Sequence, residues 1–185
     1  MSNIHLEDYG FNEKYQTLAK QYGQNLTPAR ITAVYQGIYE IATDFGISKA
    51  KLRGNYTLQN PYEESIPTVG DFVMVDYQKD ASFSLIHHLI HRSSLLTRKA
   101  PEDNKKKNQM IGANIDYAFI VTSMNKDFSL GRIERYLTAI YQGGITPVII
   151  LSKSDLADNE HEYISKTSDI AFGLDIICTS TVPSE

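Results

Sequence analysis

The sequence predicts a β + α/β protein: a small five-stranded barrel, then a parallel α/β segment that stops early. Three observations predict it. Short β-rich runs separated by turn residues crowd into residues 29–90. From residue 113 the pattern changes to continuous apolar runs alternating with helical periodicity, as in strand–helix–strand units. A charged stretch with Pro101 and Gly112 lies between the two patterns.

Residues 5–25 read as a short helix, because Phe11, Tyr15, Leu18, Ala19 and Tyr22 recur at helical spacing and Gly23 follows as a stop. Pro28 breaks that pattern. Strands are expected over 30–35 and 38–43, joined by the Gln36-Gly37 turn, and over 47–52 after Asp44-Phe45-Gly46. Residues 54–67 are rich in Gly, Asn and Pro and read as a loop. Two more strands follow at 72–77 and 83–90. Five short strands in so few residues suggest an OB-fold, and an SH3-like barrel fits nearly as well. In the second part, 117–121 is an apolar run expected to be a strand buried on both faces. Residues 130–141 are helical, with Leu130, Ile133, Tyr136, Leu137, Ile140 and Tyr141 on one face, Ser129 as N-cap and Gly143-Gly144 as the stop. A second buried strand at 147–151, a weaker helix near 160–172 and a third strand at 175–178 complete a parallel series.

Composition bounds the possibilities. The chain has 185 residues, 42% apolar and 22% charged, which is globular and neither disordered nor fibrous. The single cysteine, Cys178, excludes a disulfide framework and a Cys-based zinc cluster; in a strand it reads as a small core hydrophobe. No apolar run approaches the ~18 residues of a spanning helix, and Met1 to Asp8 lacks a signal-peptide profile. The expectation is a cytoplasmic monomer with no membrane partner. The net charge of −4 is unevenly spread, with 5 basic and 10 acidic residues in 113–185. Residues 81–107 hold six cations, Arg92, Arg98, Lys99, Lys105, Lys106 and Lys107, against Glu102 and Asp103. Such a stretch either attracts a phosphate backbone or is a solvated linker.

The most informative local feature is Leu151-Ser152-Lys153-Ser154-Asp155-Leu156, just after a predicted parallel strand. Ligands of such sheets bind at the carboxyl ends of strands. A carboxylate there can accept from both the N1–H and the exocyclic amine of guanine, a donor pair that adenine lacks. The Lys153 stem can lie over the base. The pattern is similar to the Asn-Lys-x-Asp motif of GTPases, with Ser152 in place of Asn; the plain reading is a polar loop. Ser180-Thr181, after the next strand, occupies the place of the Ser-Ala-like turn whose backbone N–H reaches guanine O6 in GTPases. Neither Gly-x-x-x-x-Gly-Lys-Ser/Thr nor Asp-x-x-Gly occurs anywhere in the chain. Either this is not a GTPase site, or the motif order is permuted.

Arg92-Ser93-Ser94-Leu95-Leu96-Thr97-Arg98-Lys99, Ala113-Asn114-Ile115-Asp116 with the following strand, Asn125-Lys126-Asp127-Phe128, Ile133-Glu134-Arg135-Tyr136-Leu137 and the 147–156 segment come in a fixed order. Together with Gly70-Asp71-Phe72-Val73 they resemble the ribosome small subunit-dependent GTPase A family, over about residues 28–181. The resemblance implies a circularly permuted P-loop GTPase whose base-recognition motifs precede its phosphate loop. It implies an N-terminal OB-fold that contacts ribosomal RNA, action in late 30S assembly, and GTP hydrolysis. Under it, residues 1–27 are a helical extension, 28–99 an OB-fold RNA-binding domain, 100–112 a linker, and 113–185 the first part of the GTPase domain. Ser152, Lys153, Ser154, Asp155, Ser180 and Thr181 are the expected guanine contacts, and GTP or GDP the ligand. Mg²⁺ and zinc are expected only in the full-length family protein, and no catalytic or metal-binding residue is assigned here. The expected partners are the 30S subunit and its rRNA.

Several residues carry competing readings. Arg92, Arg98, Lys99, Tyr35 and Tyr39 are candidate RNA contacts; for the tyrosines, barrel packing is as good an account. His87, His88 and His91 read as RNA-facing or structural rather than as a zinc site. Arg132 and Arg135 read as a solvated helix face. Without a phosphate loop the chain is not expected to hydrolyse GTP alone, and its Pro183-Ser184-Glu185 end reads as a cut through a domain. The alternative function is a catalytically inactive OB-fold adaptor for RNA or protein with a degenerate nucleotide domain.

Overall fold

The structure is a computed structural model that describes residues 5–23, 25–79, 81–99 and 108–182. The chain divides into two compact units, Met1–Asn114 and Ile115–Glu185. The expectations for Lys105-Lys106-Lys107 and for Pro183-Ser184-Glu185 lie outside the described residues.

In the first unit, β1 (Thr27–Tyr35), β2 (Ile38–Thr43), β3 (Gly46–Leu52), β4 (Phe72–Asp76) and β5 (Ser84–Leu89) close a barrel in the order β1-β2-β3-β5-β4. β3 and β5 are parallel, and the other neighbours are antiparallel. A parallel pair needs a crossover connection, and here the chain crosses through residues 53–71 and returns along β4 before β5 begins. This decides between the two candidate barrels for the OB-fold. Alternate residues fill the interior: Ala29, Ile31, Tyr39, Ile41, Ala50, Val73, Val75 and Ile86. The crossover contains a short helix, α2 (Tyr56–Gln59), where the sequence reads as loop; Tyr56 inserts into the same core and donates its hydroxyl to the Ser65 carbonyl at 3.0 Å.

β4 is buried on both faces. Val73 and Val75 face the barrel interior, while Phe72 and Met74 face a second cluster made by the N-terminal segment. That segment is not the single helix expected over 5–25. It is a 3-10 turn (Leu6–Tyr9), the helix α1 (Glu13–Ala19) and a second 3-10 turn (Lys20–Tyr22). Gly10 breaks it with φ +83°, and Asn12 restarts it by accepting from the amides of Lys14 and Tyr15. The rings of Phe11 and Tyr15 lie 5.4 and 4.3 Å from that of Phe72.

The main difference from expectation lies at 95–113. β6 (Leu95–Lys99) and β7 (Asn108–Ala113) pair as an antiparallel two-stranded sheet. The expected linker over 100–112 is therefore strand from 108 onward. Leu95-Leu96 and Met110-Ile111 are apolar pairs too short to show a period, so only their mutual pairing reveals them. The hairpin is fastened to the barrel unit, since the Ala113 amide donates to the Val69 carbonyl at 2.9 Å. A Cβ on Gly70, whose φ is +87°, would collide with the Ala113 carbonyl. Asn114 then takes a left-handed conformation, φ +53°. Its Oδ1 accepts from the Tyr15 hydroxyl and the Ser93 amide, each at 2.9 Å, and its Nδ2 donates to the Gly70 carbonyl at 3.0 Å.

In the second unit, β8 (Tyr117–Ser123), β9 (Thr146–Ser152) and β10 (Ile176–Thr179) form a parallel sheet in the order β10-β9-β8. The helices α3 (Leu130–Gln142) and α4 (Glu160–Ile170) connect them. Ile133, Leu137 and Ile140 of α3 are buried, as are Ile120, Ile149 and Leu151 of the sheet. Tyr136 and Tyr141 are half exposed and so lie off the buried face assigned to them. Ser129 makes no side-chain cap. β8 is not buried on both faces: Tyr117, Phe119 and Val121 are 64%, 66% and 61% exposed. An apolar run reports that a strand belongs to a parallel sheet, but not whether both faces are covered in the chain at hand.

Candidate base-recognition site

The carboxyl ends of all three parallel strands meet at one edge of the second unit. β9 ends at Ser152, whose hydroxyl donates to the Thr122 carbonyl of β8 at 3.2 Å, while its own carbonyl accepts the Met124 amide at 2.9 Å. Lys153 follows in the left-handed region, φ +59°, ψ +43°. That conformation is uncommon for a residue with a Cβ and turns the chain sharply off the strand. The 3-10 turn Ser154–Leu156 then begins, closed by the Leu156 amide on the Lys153 carbonyl at 3.0 Å. Lys153 and Asp155 are both exposed.

β10 delivers the second element. The Ser180 hydroxyl donates to Asp155 Oδ1 at 2.5 Å and accepts from the Val182 amide at 3.0 Å. Two segments 25 residues apart are thus joined by a direct hydrogen bond. The contact fixes one carboxylate oxygen and leaves the group with further acceptor capacity. Of the expected base contacts, Ser152, Lys153, Ser154, Asp155 and Ser180 lie at this edge, and Thr181 follows Ser180 in an exposed turn. The end of β8 adds an element that the sequence reading did not single out as a site. Asn125 Oδ1 accepts from the Ser123 hydroxyl and the Asp127 amide, each at 2.9 Å, shaping the turn beside Ser152. The Ser-x-Asn-x-Asp spacing, an Asx-turn pattern, is the signal that marks it.

Cys178 lies on β10 and burial pushes its thiol up to about 11, with a hydrogen bond to Glu160 adding to the shift. It is a thiol at neutral pH and no nucleophile. Among the described residues no three His, Cys, Asp or Glu side chains come together.

The structure corrects two of the candidate RNA contacts. Tyr39 is 3% exposed and part of the barrel core, so its ring cannot stack on a base. Burial and the nearby Asp71 charge raise its pKa. Arg92 is a structural residue. Its Nε and Nη2 pair with Asp71 Oδ1 and Oδ2 at 2.8 and 2.6 Å, Nη2 also donates to the Ile66 carbonyl at 2.9 Å, and Nη1 donates to the Glu64 carbonyl. Asp71 is fully buried and also accepts the Thr68 amide at 2.7 Å. A cation buried beside one acid is indistinguishable in sequence from an exposed one. Tyr35, Arg98 and Lys99 are exposed. His88 stacks on Tyr22, with ring centroids 5.0 Å apart, and burial, with the neighbouring His87, lowers its pKa.

These features can be set beside known proteins. The family model described as RsgA GTPase matches residues 89–184. A small ribosomal subunit biogenesis GTPase RsgA 1 from Listeria innocua is 36% identical over 170 residues, covering 91% of this chain and 46% of that protein. A small ribosomal subunit biogenesis GTPase RsgA 2 from Listeria monocytogenes is 38% identical, again over 91% of this chain and 46% of the relative. The chain spans about half the length of the curated relatives it matches. Among solved structures, YjeQ from Thermotoga maritima superposes with a TM-score of 0.64 at 21% identity, covering 84% of this chain and 52% of that one. YloQ, described as a circularly permuted GTPase, gives 0.62 at 21% with the same coverage. The ordered motifs, the OB barrel followed by a parallel sheet, and these matches agree: the chain belongs to the RsgA GTPase family.

Proposed function

We propose that the chain is the RNA-binding and guanine-reading part of a GTPase that serves assembly of the small ribosomal subunit. The observation that carries the reading is the Ser180–Asp155 hydrogen bond at the carboxyl edge of the parallel sheet. It joins the two elements, each following a parallel strand, that the sequence reads as candidate base contacts. In this reading Asp155 accepts from N1–H and the exocyclic amine of guanine, Ser180 orients the carboxylate, and the Lys153 stem covers the base. The backbone at Ser180-Thr181 is the element for guanine O6. GTP or GDP is the ligand of the whole protein, and Mg²⁺ accompanies the phosphates there. The relatives' names support the small-subunit role, and the OB barrel supports contact with its rRNA.

Hydrolysis by this chain alone is not part of the proposal, because its 185 residues contain no Gly-x-x-x-x-Gly-Lys-Ser/Thr sequence to hold the β- and γ-phosphates. Base recognition without phosphate contacts is weak, so the test uses amide NMR shifts with millimolar guanosine. Guanosine is expected to move resonances of 152–156 and 179–182 while adenosine leaves them in place. Asp155→Ala is expected to abolish the response, and fluorescent GDP should bind no tighter than micromolar. Equal shifts with both nucleosides, or sub-micromolar GDP binding, contradict the assignment. Retained 30S association with no guanosine response in this experiment supports the inactive-adaptor reading instead.

A further inference from the structure

A guanine base offers donors and acceptors on different edges. Its N1–H and exocyclic amine are donors, which Asp155 accepts in the proposed reading; its O6 and N7 are acceptors and need donors from the protein. The backbone at Ser180-Thr181 is assigned to O6, which leaves N7 without a partner. The motif position on β9 does not fill the gap. Ser152 has one hydroxyl proton, and the Thr122 carbonyl takes it at 3.2 Å. Ser123, opposite Ser152 in the β8–β9 register, spends its hydroxyl proton on Asn125 Oδ1 at 2.9 Å.

Asn125 has the donor that Ser152 lacks. Its Oδ1 also accepts the Asp127 amide at 2.9 Å, and a backbone N–H can only donate, so the turn itself fixes which side-chain atom is oxygen. The Nδ2 group, with two protons, is left over and has no hydrogen-bond partner among the described residues. The residue before it is anchored to the motif, since the Met124 amide donates to the Ser152 carbonyl at 2.9 Å. Asn125 therefore stands on the β8 side of β9, while Ser180 ties Asp155 to the β10 side. Two strand spacings of about 4.8 Å put the ends of β8 and β10 roughly 10 Å apart, room for a purine with a hydrogen bond on each side. Lys126, next in the chain, is the rival donor. Its charge is exposed on a flexible stem, whereas the Asn125 side chain is already held by two hydrogen bonds and loses little freedom on donating.

We propose that Asn125 Nδ2 donates to N7 of the bound guanine, supplying from the end of β8 the side-chain amide that Ser152 removes from the end of β9. Adenine carries the same N7 acceptor, so the contact orients the base and adds affinity, while discrimination between the purines stays with Asp155. The claim rests on the reading of this edge as a guanine site.

The test is an NMR titration of the whole 185-residue chain with GMP and with 7-deaza-GMP, in which C–H replaces N7. Wild type is expected to bind 7-deaza-GMP about three- to tenfold more weakly, the range for one neutral hydrogen bond. The Asn125 side-chain amide resonances should move with GMP and stay in place with the analogue. Asn125→Asp keeps an oxygen for the Ser123 hydroxyl and the Asp127 amide, so its thermal unfolding should match wild type, but it should lose the preference for GMP. Adding Ser152→Asn to that variant returns an amide to the edge and should restore the preference; no recovery would mean that the two positions do not serve the same atom. If Asn125→Asp unfolds earlier than wild type, the two wild-type titrations and the side-chain resonances decide alone. If Asn125→Asp weakens both nucleotides by one factor, Asn125 only shapes the turn and the proposal is wrong. If wild type responds to GMP at 152–156 and 179–182 but treats the two nucleotides alike, or the preference survives in Asn125→Asp, the proposal fails while the guanine reading stands. If GMP moves no resonance at this edge, the guanine reading fails and the role of Asn125 fails with it.

Discussion

Arg92→Ala is expected to destabilise the first unit by about 3–5 kcal/mol, the cost of leaving a buried charge without its partner. Asp71 has no exposed surface, and the guanidinium meets both of its oxygens while also satisfying the carbonyls of Glu64 and Ile66. Removing Arg92 strands a carboxylate in the barrel wall and releases two backbone acceptors at the end of the crossover. The same carboxylate already acts on its surroundings. Tyr56 is pushed up to about 12, first by burial and then by the Asp71 charge, so an uncompensated Asp71 would sit beside a phenol that cannot ionise to any advantage. Urea denaturation measures the loss directly. Arg98→Ala, on an exposed strand end, is the control and should stay within about 0.5 kcal/mol of wild type. Replacing both partners, Asp71→Asn with Arg92→Met, should recover part of the loss, because the cost comes from the orphaned charge and not from the missing bond. An Arg92→Ala midpoint equal to that of the control would return Arg92 to the list of RNA contacts.

Phe72→Ala is expected to cost about 3–5 kcal/mol, the range for truncating a buried aromatic ring. Phe72 lies on β4 opposite the barrel interior, so on barrel packing alone it would be a surface residue. Instead Phe11 and Tyr15 cover it, and the Arg30 guanidinium carbon lies 5.0 Å over its ring. Met74 and Ile90 belong to the same cluster with Leu6 and Ala19. The loss should be accompanied by faster amide exchange in α1, because the ring is what the helix packs on. A large loss with α1 protection unchanged would mean that the helix is held by Asn114 and the Tyr15 hydroxyl alone. The N-terminal residues thus form a second small core against the barrel wall.

The five barrel strands could be read in the sequence because each alternates or runs apolar between turn residues such as Gln36-Gly37 and Asp44-Phe45-Gly46. The choice between two barrels could not be read, since it depends on β3 pairing with β5 in parallel, a long-range contact with no local signal. The β4 run Phe72-Val73-Met74-Val75 carried a clue: four successive apolar residues in a barrel strand imply cover on both faces. The β6–β7 hairpin was hidden because its two short apolar pairs only become strands together. At the candidate base-recognition edge, position after a parallel strand and the Asn-Lys-x-Asp-like pattern singled out Lys153 and Asp155, and both stand exposed just beyond β9. The Ser180–Asp155 bond was beyond sequence, as were the fates of Tyr39 and Arg92, because residue type is silent on which way a side chain points.

Lys153 gives a way to separate selection for folding from selection for use. Its left-handed backbone costs of the order of 1 kcal/mol for any residue with a Cβ, and glycine alone escapes that cost. Lys153→Gly should therefore leave the second unit as stable as before or slightly more stable, while the response to guanosine declines. At most positions a truncation that harms binding harms the fold as well, and the two effects are tangled. Here they are expected to carry opposite signs, so a position where the chain gains robustness by losing its ligand marks what the loop is for.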